Sequence, residues 1–242
     1  MPRTASRPSP AAAQIQTPVL ASIIVRTKNE QAWIARCLAA VLNQDVSGVE
    51  VLVVDTGSTD QTLAICRDFN VRVHAYQGPY TPGRALNAGF AQSRGRYLVC
   101  LSAHCIPLND KWLERLIAGF HDPSVAAVYG RQEPLPDSHE SDKRDLWTVF
   151  GIEQRLQRKD YLFHNANSAI RRDLWQRWPF DETLPSLEDR AWAKRMIAQG
   201  HAILYEPQAS VYHFHGISHN EQAGRAQRVV KVIELLKSRG GA

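Results

Sequence analysis

The sequence has no uninterrupted apolar run longer than a handful of residues, far short of the ~20 that a membrane-spanning helix requires. No such helix is expected. Cysteine is scarce: Cys37, Cys66, Cys100 and Cys105 are the whole complement, and no two stand at C-x-x-C spacing. Cys37, Cys66 and Cys100 fall in segments that read as helix or strand. Scarcity and spacing point away from a disulfide framework or a zinc site and towards buried, reduced thiols in a cytosolic chain. Neither G-x-G-x-x-G nor G-x-x-x-x-G-K-[ST] occurs, so an ordinary dinucleotide or P-loop site is not expected. Charge of one sign is also in short supply. Lys and Arg total 29 against 24 Asp and Glu, a net +5 that is too small and too scattered for a nucleic-acid groove. It mildly favours phosphate-bearing or other anionic partners. There is no internal repeat. Residues 1–17 are rich in Pro, Ser, Ala and Arg, lack the apolar stretch of a secretory signal, and read as a disordered tail.

What is present is an ordinary globular composition, 44% hydrophobic and 22% charged over 242 residues. That length suits one large domain with an extension. From residue 19 strands alternate with helices. Val19–Val25 is an apolar, β-branched run suited to a strand buried on both faces. Trp33, Cys37 and Val41, flanked by Ile34, Leu38 and Leu42, recur at helical spacing. Val49–Val54 reads as a second buried strand. Ser58-Thr59-Asp60 offers N-cap residues for a helix carrying Leu63, Cys66 and Phe69. Val71–Tyr76 is a third strand, 83–93 a helix, Tyr97–Leu101 a fourth strand, Lys111–Phe120 a helix and Val125–Tyr129 a fifth strand. The pattern predicts an α/β fold with a mostly parallel central sheet and helices on both faces.

The second half is less regular. Arg131–Arg144 reads as a long loop. After it come a helix near Trp147–Gln157, a strand over Asn167–Ile170, helices from Arg172 and from Glu188, and strands over Ala202–Tyr205 and Ser210–His213. Val229, Val232, Ile233 and Leu236 form the apolar stripe of a C-terminal amphipathic helix. Packing on the domain or on a second subunit is its expected use, and an anionic membrane surface the alternative.

In such sheets ligands collect at the carboxyl ends of the strands. The polar clusters fall there: Arg26-Thr27-Lys28-Asn29-Glu30 after the first strand, Asp55-Thr56-Gly57-Ser58-Thr59-Asp60 after the second, and Ser102-Ala103-His104 after the fourth. These strings, with Gly83-Arg84-Ala85-Leu86-Asn87-Ala88-Gly89, Pro179-Phe180-Asp181-Glu182 and Leu187-Glu188-Asp189-Arg190, carry a resemblance. The chain resembles the family 2 glycosyltransferases, which have the GT-A (Rossmann-like) fold and use nucleotide-diphosphate sugars. The likeness covers about residues 19–215. It implies a tail over 1–17, a GT-A domain over 18–215 and a helical extension over 216–242.

The resemblance implies an inverting glycosyltransferase that moves a sugar from a UDP-, dTDP- or GDP-sugar to a glycan, lipid-linked or other hydroxyl acceptor. Its setting would be cell-surface polysaccharide synthesis, in the cytoplasm or on the inner face of the membrane, with self-association a further expectation. Thr27, Asn29, Glu30, Asp55 and Ser102 would line the nucleotide-sugar pocket, with Arg84 near the diphosphate. Asp189 would be the base, and Glu188 would orient the acceptor or cap its helix. Asn167, Ser168 and Trp147 would face the acceptor or sugar.

One departure stands out. The family's Asp-x-Asp motif is here Ser102-Ala103-His104. An imidazole suits Mn²⁺, Co²⁺ or Zn²⁺ better than Mg²⁺. The expected cofactor is therefore a divalent metal, Mn²⁺ or Mg²⁺ with Mn²⁺ favoured, held by His104 with His213 or His215. Direct hydrogen bonding of His104 to the diphosphate is the alternative. The lost motif also leaves room for a non-catalytic nucleotide-sugar-binding protein. A sugar-phosphate nucleotidyltransferase is a third reading, although the expected Gly-rich, basic loop is replaced by Arg26–Glu30.

Overall fold

The computed structural model describes residues 18–214 and 230–236. In chain order the elements are β1 (Ala21–Thr27), α1 (Ile34–Leu42), β2 (Val49–Asp55), α2 (Thr62–Cys66), β3 (Arg72–Ala75), α3 (Pro82–Ala91), β4 (Tyr97–Ser102), β5 (Cys105–Pro107), α4 (Trp112–Ala118), β6 (Val125–Pro134), α5 (Glu140–Val149), β7 (Arg155–Gln157), β8 (Asn167–Arg171), α6 (Arg172–Arg177), α7 (Glu188–Ala198) and β9 (Ala202–His213). A further helical segment spans 230–236.

The strands form one nine-stranded sheet in the order β3-β2-β1-β4-β8-β6-β9-β5, with β7 on β9. The half from β3 to β4 is parallel throughout, as the sequence implies. β8 then enters antiparallel to both β4 and β6. Beyond it, β6 and β9 run parallel to each other, while β5 and β7 pair with β9 antiparallel. Side-chain alternation splits the core in two. Ile23, Val25, Val53 and Val99 pack against Cys37, Leu38 and Trp112 on one face. Ile24, Leu52, Leu98 and Cys100 pack against Leu86, Phe90, Trp192 and Met196 on the other. All four cysteines are free and buried. No helix among the described residues is long and apolar enough to cross a membrane.

The second half corrects several expectations. The predicted loop from Arg131 is instead an extension of β6 to Pro134, followed by α5. α5 has few apolar side chains, but His139 accepts from Ser141 N at its start, and Glu140 and Asp142 suit its first turn. The predicted helix over 147–157 stops at Val149, and 155–157 is strand. The two predicted strands over 202–213 are one, β9. Its Pro207 falls where the pairing with β6 slips between Gly130 and Gln132, so no ladder hydrogen bond is lost to it. Of the C-terminal stripe, Val232, Ile233 and Leu236 lie within the described residues, and Val232 and Leu236 are buried against Leu184. Most of 216–242, and the tail over 1–17, fall outside them.

Gly130 marks the tightest approach in that slipped region. A Cβ there would overlap the Ala209 carbonyl oxygen and the Asn167 Nδ2. Gly130→Ala is therefore expected to cost at least about 1–3 kcal/mol, the range for overpacking. That corresponds to roughly 2–4 °C of Tm per kcal/mol in a chain of this size. An unchanged Tm by calorimetry would show that β6 and β9 are not held this close.

Candidate active site

The registers Thr27↔Asp55 and Arg26↔Ser102 bring the three polar strand ends to one edge of the parallel half. The loops that leave them are fastened together. Asp55 Oδ2 accepts from Gly57 N and Ser58 N, each at 3.0 Å, and Oδ1 accepts from Ser58 Oγ. Asn29, in the left-handed region at φ 55°, accepts on Oδ1 from Thr59 N at 2.8 Å, and its own N–H donates to Ser58 Oγ at 2.9 Å. Gln31 N donates to Asp60 Oδ2 at 3.1 Å. The Asp55 carboxylate thus shapes the loop that walls the pocket.

Two buried polar atoms at this edge, Arg26 Nη1 and Thr27 Oγ1, make no hydrogen bond within the described residues. They are the donors and acceptors a ligand would be expected to satisfy. On the far side, Thr81 caps α3 by accepting from Arg84 N, and Arg84 Nε donates to the Glu182 carbonyl at 3.2 Å. Asn87 Nδ2 donates to Phe180 O and Glu182 Oε1, fastening the Pro179–Glu182 segment to α3. Gly83 leaves room for that segment, since a Cβ there would come within 2.6 Å of Asp181 O.

Glu188 and Asp189 open α7 and are both buried. Asn165 holds the two together. Its backbone N–H donates to Asp189 Oδ2 at 3.0 Å and its Nδ2 to Glu188 Oε1 at 3.2 Å. Arg190 N donates to Asp189 Oδ1 at 2.7 Å. Burial, and secondarily the neighbouring Asp189 charge, push the Glu188 carboxyl up to about 7, against the opposing pull of Arg26 and Asn165. Burial works against the Arg26 guanidinium's charge too, but Tyr80, Glu188, Cys100 and Asp189 raise its pKa on balance. Arg26 and Asn165 were not among the residues singled out from sequence. A charged residue closing an otherwise apolar strand was the available signal for Arg26. Asn165 belonged to a quoted segment but had no spacing that tied it to Glu188.

The metal-ligand expectation gains one residue and leaves one aside. Donor atoms of His104, Cys105 and His213 lie within 4.8 Å of one another. The two imidazole rings are 5.1 Å apart between centroids. The pairing Cys105↔His213 between β5 and β9 produces this closeness. Trp33 packs against Phe214, ring centroids 4.5 Å apart and tilted by 38°, which joins the end of β9 to the start of α1. His215 lies outside the described residues. Cys105 was read from sequence as an inert thiol, and burial does hold it well above its ordinary pKa. A thiol that keeps its proton is a poor ligand, so the donors this cluster offers a divalent metal are the two imidazoles. Glu30, expected at the nucleotide, instead places Oε1 2.6 Å from His104 Nδ1.

On the acceptor side the structure corrects two assignments. Asn167 is fully buried: Oδ1 accepts from Trp112 Nε1 at 2.8 Å, and Nδ2 donates to Arg131 O and Ala209 O. Ser168 is equally buried and donates to Asn165 Oδ1. Their polar atoms serve the framework and do not reach a sugar. Trp147 is exposed on α5, with Nε1 donating to Glu133 Oε2 at 3.3 Å.

The parallel half-sheet thus gathers its polar strand ends at one edge, and Arg26 there lies close enough to Glu188 and Asp189 at the start of α7 to feel their charge. The profile described as Glycosyl transferase family 2 matches residues 22–178. The chain belongs to that family. It is 31% identical over 197 residues to Glycosyltransferase AglE of Haloferax volcanii, covering 76% of this chain and 63% of that protein. It is 26% identical over 218 residues to the O-antigen chain rhamnosyltransferase RfbN of Salmonella typhimurium, covering 84% of this chain and 69% of that protein. The chain thus spans about two thirds of these relatives' lengths. Among solved structures, the mannosyltransferase PcManGT from Pyrobaculum calidifontis, in complex with GDP-Man and Mn²⁺, superposes with a TM-score of 0.71 at 22% identity, over 94% of this chain and 68% of that one. S. aureus TarS in complex with UDP-GlcNAc gives 0.65 at 21% identity, over 84% of this chain and 61% of that one. At these identities the likeness is one of fold.

Proposed function

We propose that this chain binds a nucleotide-diphosphate sugar and transfers its sugar, with inversion, to a hydroxyl acceptor in the assembly of a cell-surface polysaccharide or other glycan. The observation that carries the reading is the Glu188–Asp189 pair, held by Asn165 and facing the strand-end pocket. Asp189 takes the proton as the acceptor oxygen forms its bond to the anomeric carbon. The bond from that carbon to the diphosphate breaks, and its electron pair leaves with the diphosphate. Glu188 orients the acceptor hydroxyl. Thr27, Asn29 and the Asp55 loop wall the nucleotide, with Ser102 beside Arg26 beneath it and Arg84 near the diphosphate. Trp147 offers the acceptor an aromatic face.

His104 and His213 would hold a divalent metal, which when bound offsets the charge on the diphosphate. The neighbours solved with GDP-Man and Mn²⁺ and with UDP-GlcNAc support a nucleotide-sugar donor. A growing glycan chain as acceptor fits the O-antigen chain rhamnosyltransferase named above; action in the cytoplasm, at the inner face of the membrane, completes the proposal.

A thermal-shift series with UDP, GDP and dTDP, each with Mn²⁺, Co²⁺ or Mg²⁺, tests the donor. A ligand at 100 times its Kd adds about 2.7 kcal/mol of stability. Mn²⁺ or Co²⁺ is expected to support nucleotide binding better than Mg²⁺, and His104→Asp to move the preference towards Mg²⁺. Full affinity and turnover in a strong chelator would assign His104 to direct hydrogen bonding. Nucleotide binding without transfer from any donor to any acceptor would favour the non-catalytic reading.

A further inference from the structure

Glu30 sits at the centre of an unusually constrained piece of backbone. Its N–H donates to Thr62 Oγ1 at 2.8 Å, and Thr62 is itself held by Asp60. Its carbonyl accepts from Trp33 N and Ile34 N, each at 2.9 Å, which starts α1. The carboxylate is therefore aimed by main-chain contacts that do not depend on a ligand. It reaches His104, 74 residues away in sequence, with Oε1 at 2.6 Å from Nδ1. Both side chains are less than one-fifth exposed.

In this pairing, with Glu30 Oε1 as the acceptor, Nδ1 carries the hydrogen. The lone pair of the neutral ring is then on Nε2. The other donors of the cluster, on Cys105 and His213, lie within 4.8 Å of this imidazole. We propose that Glu30 is a positioning residue: it fixes His104 as the Nδ1–H tautomer and so decides that Nε2 is the nitrogen presented to a divalent cation. A hydrogen-bonded carboxylate behind a ligating imidazole orients the ring and raises its basicity. The cation part rests on the metal reading given above, whereas the tautomer does not.

The test separates the two. Long-range ¹⁵N–¹H correlation of metal-free protein, at a pH where the ring is neutral, reads the His104 tautomer directly. The wild type is expected to show Nδ1–H alone. Glu30→Ala is expected to move the ring towards Nε2–H, and Glu30→Gln, which keeps the shape and loses the charge, to give a mixture. Titration with Co²⁺, followed by its visible absorption, is expected to weaken about 10–100-fold in Glu30→Ala, with Glu30→Gln between it and wild type. Because Glu30's fold-bearing contacts are main-chain ones, both variants should stay folded. Should one not, the wild-type tautomer still decides: an Nε2–H ring at His104 overturns the proposal. So does an unchanged tautomer and Co²⁺ affinity in folded Glu30→Ala. A wild type that takes up no Co²⁺ overturns the metal reading of the site and with it the cation half of the proposal. An Nδ1–H signal lost in Glu30→Ala would even then support Glu30 as the group that aims the ring.

Discussion

Asp189→Asn is expected to lower kcat by about 10²–10⁴-fold, the loss typical of a general base, while leaving nucleotide affinity and fold in place. Asn at 189 keeps one acceptor oxygen, enough for either the Asn165 or the Arg190 N–H but not both, so the fold should survive at the cost of about one hydrogen bond. Affinity should survive because the proposed nucleotide pocket lies at the ends of β1, β2 and β4, on other parts of the chain. Steady-state kinetics together with calorimetric titration of the nucleotide makes the separation. A variant with near wild-type turnover, alongside an inactive Glu188→Gln, would exchange the two assignments. Loss of affinity and rate together would mean that Asp189 holds the donor.

Glu188→Gln is expected to change the pH dependence of stability more than any other single substitution in this site. The sign follows from the proton count. The folded-state pKa lies near 7, above the ordinary 4.5, chiefly because of burial and then the Asp189 charge. Below about pH 4.5 the carboxyl is protonated both folded and unfolded, and burial costs little. Between about 4.5 and 7 the unfolded chain releases the proton while the folded chain keeps it. Stability therefore falls as pH rises through that window and stays low above it. A separation of this size corresponds to roughly 3 kcal/mol. Glutamine carries no charge and still accepts from Asn165 Nδ2. Glu188→Gln should match the wild type near pH 4.5, exceed it at pH 8 by up to roughly 3 kcal/mol, and flatten the curve between. Denaturant midpoints across the range measure this. Parallel curves for both proteins would show that Glu188 is not the strained group. The combination of a less active and a more stable variant is characteristic of a carboxyl kept in place for function.

Most of the parallel half was legible because β1, β2 and β4 are apolar runs largely buried on both faces and each is closed by a polar cluster, whereas β3 is a short, exposed edge strand. The far half was not, for local reasons. β5 and β7 are three residues each, too short for any periodicity. α5 presents little apolar face, so its sequence looks like loop. Pro207 reads as a strand break, yet occupies a slip in the ladder where no bond is required. At the proposed site, Asp189 and Glu188 are singled out by their motif and His104 by the motif it interrupts. The partnerships could not. Asn165 to Glu188, Glu30 to His104 and Cys105 to His213 are all set by which strands become neighbours. Asn167 and Ser168 failed for the converse reason: a polar residue at a strand start looks like a ligand-binding group until the sheet closes over it.

The fastening of 29–31 to 56–62 also bears on how this protein can change. Asn29 is bonded to Ser58 and Thr59, and Gln31 to Asp60 and Gln61. The wall proposed for the nucleotide is thus a single object written in two places about thirty residues apart. Neither stretch can be exchanged alone without stranding the other's hydrogen bonds, so their substitutions will not combine additively. A lineage that moves from one nucleotide to another must alter both stretches together, or pass through an intermediate that holds neither nucleotide well.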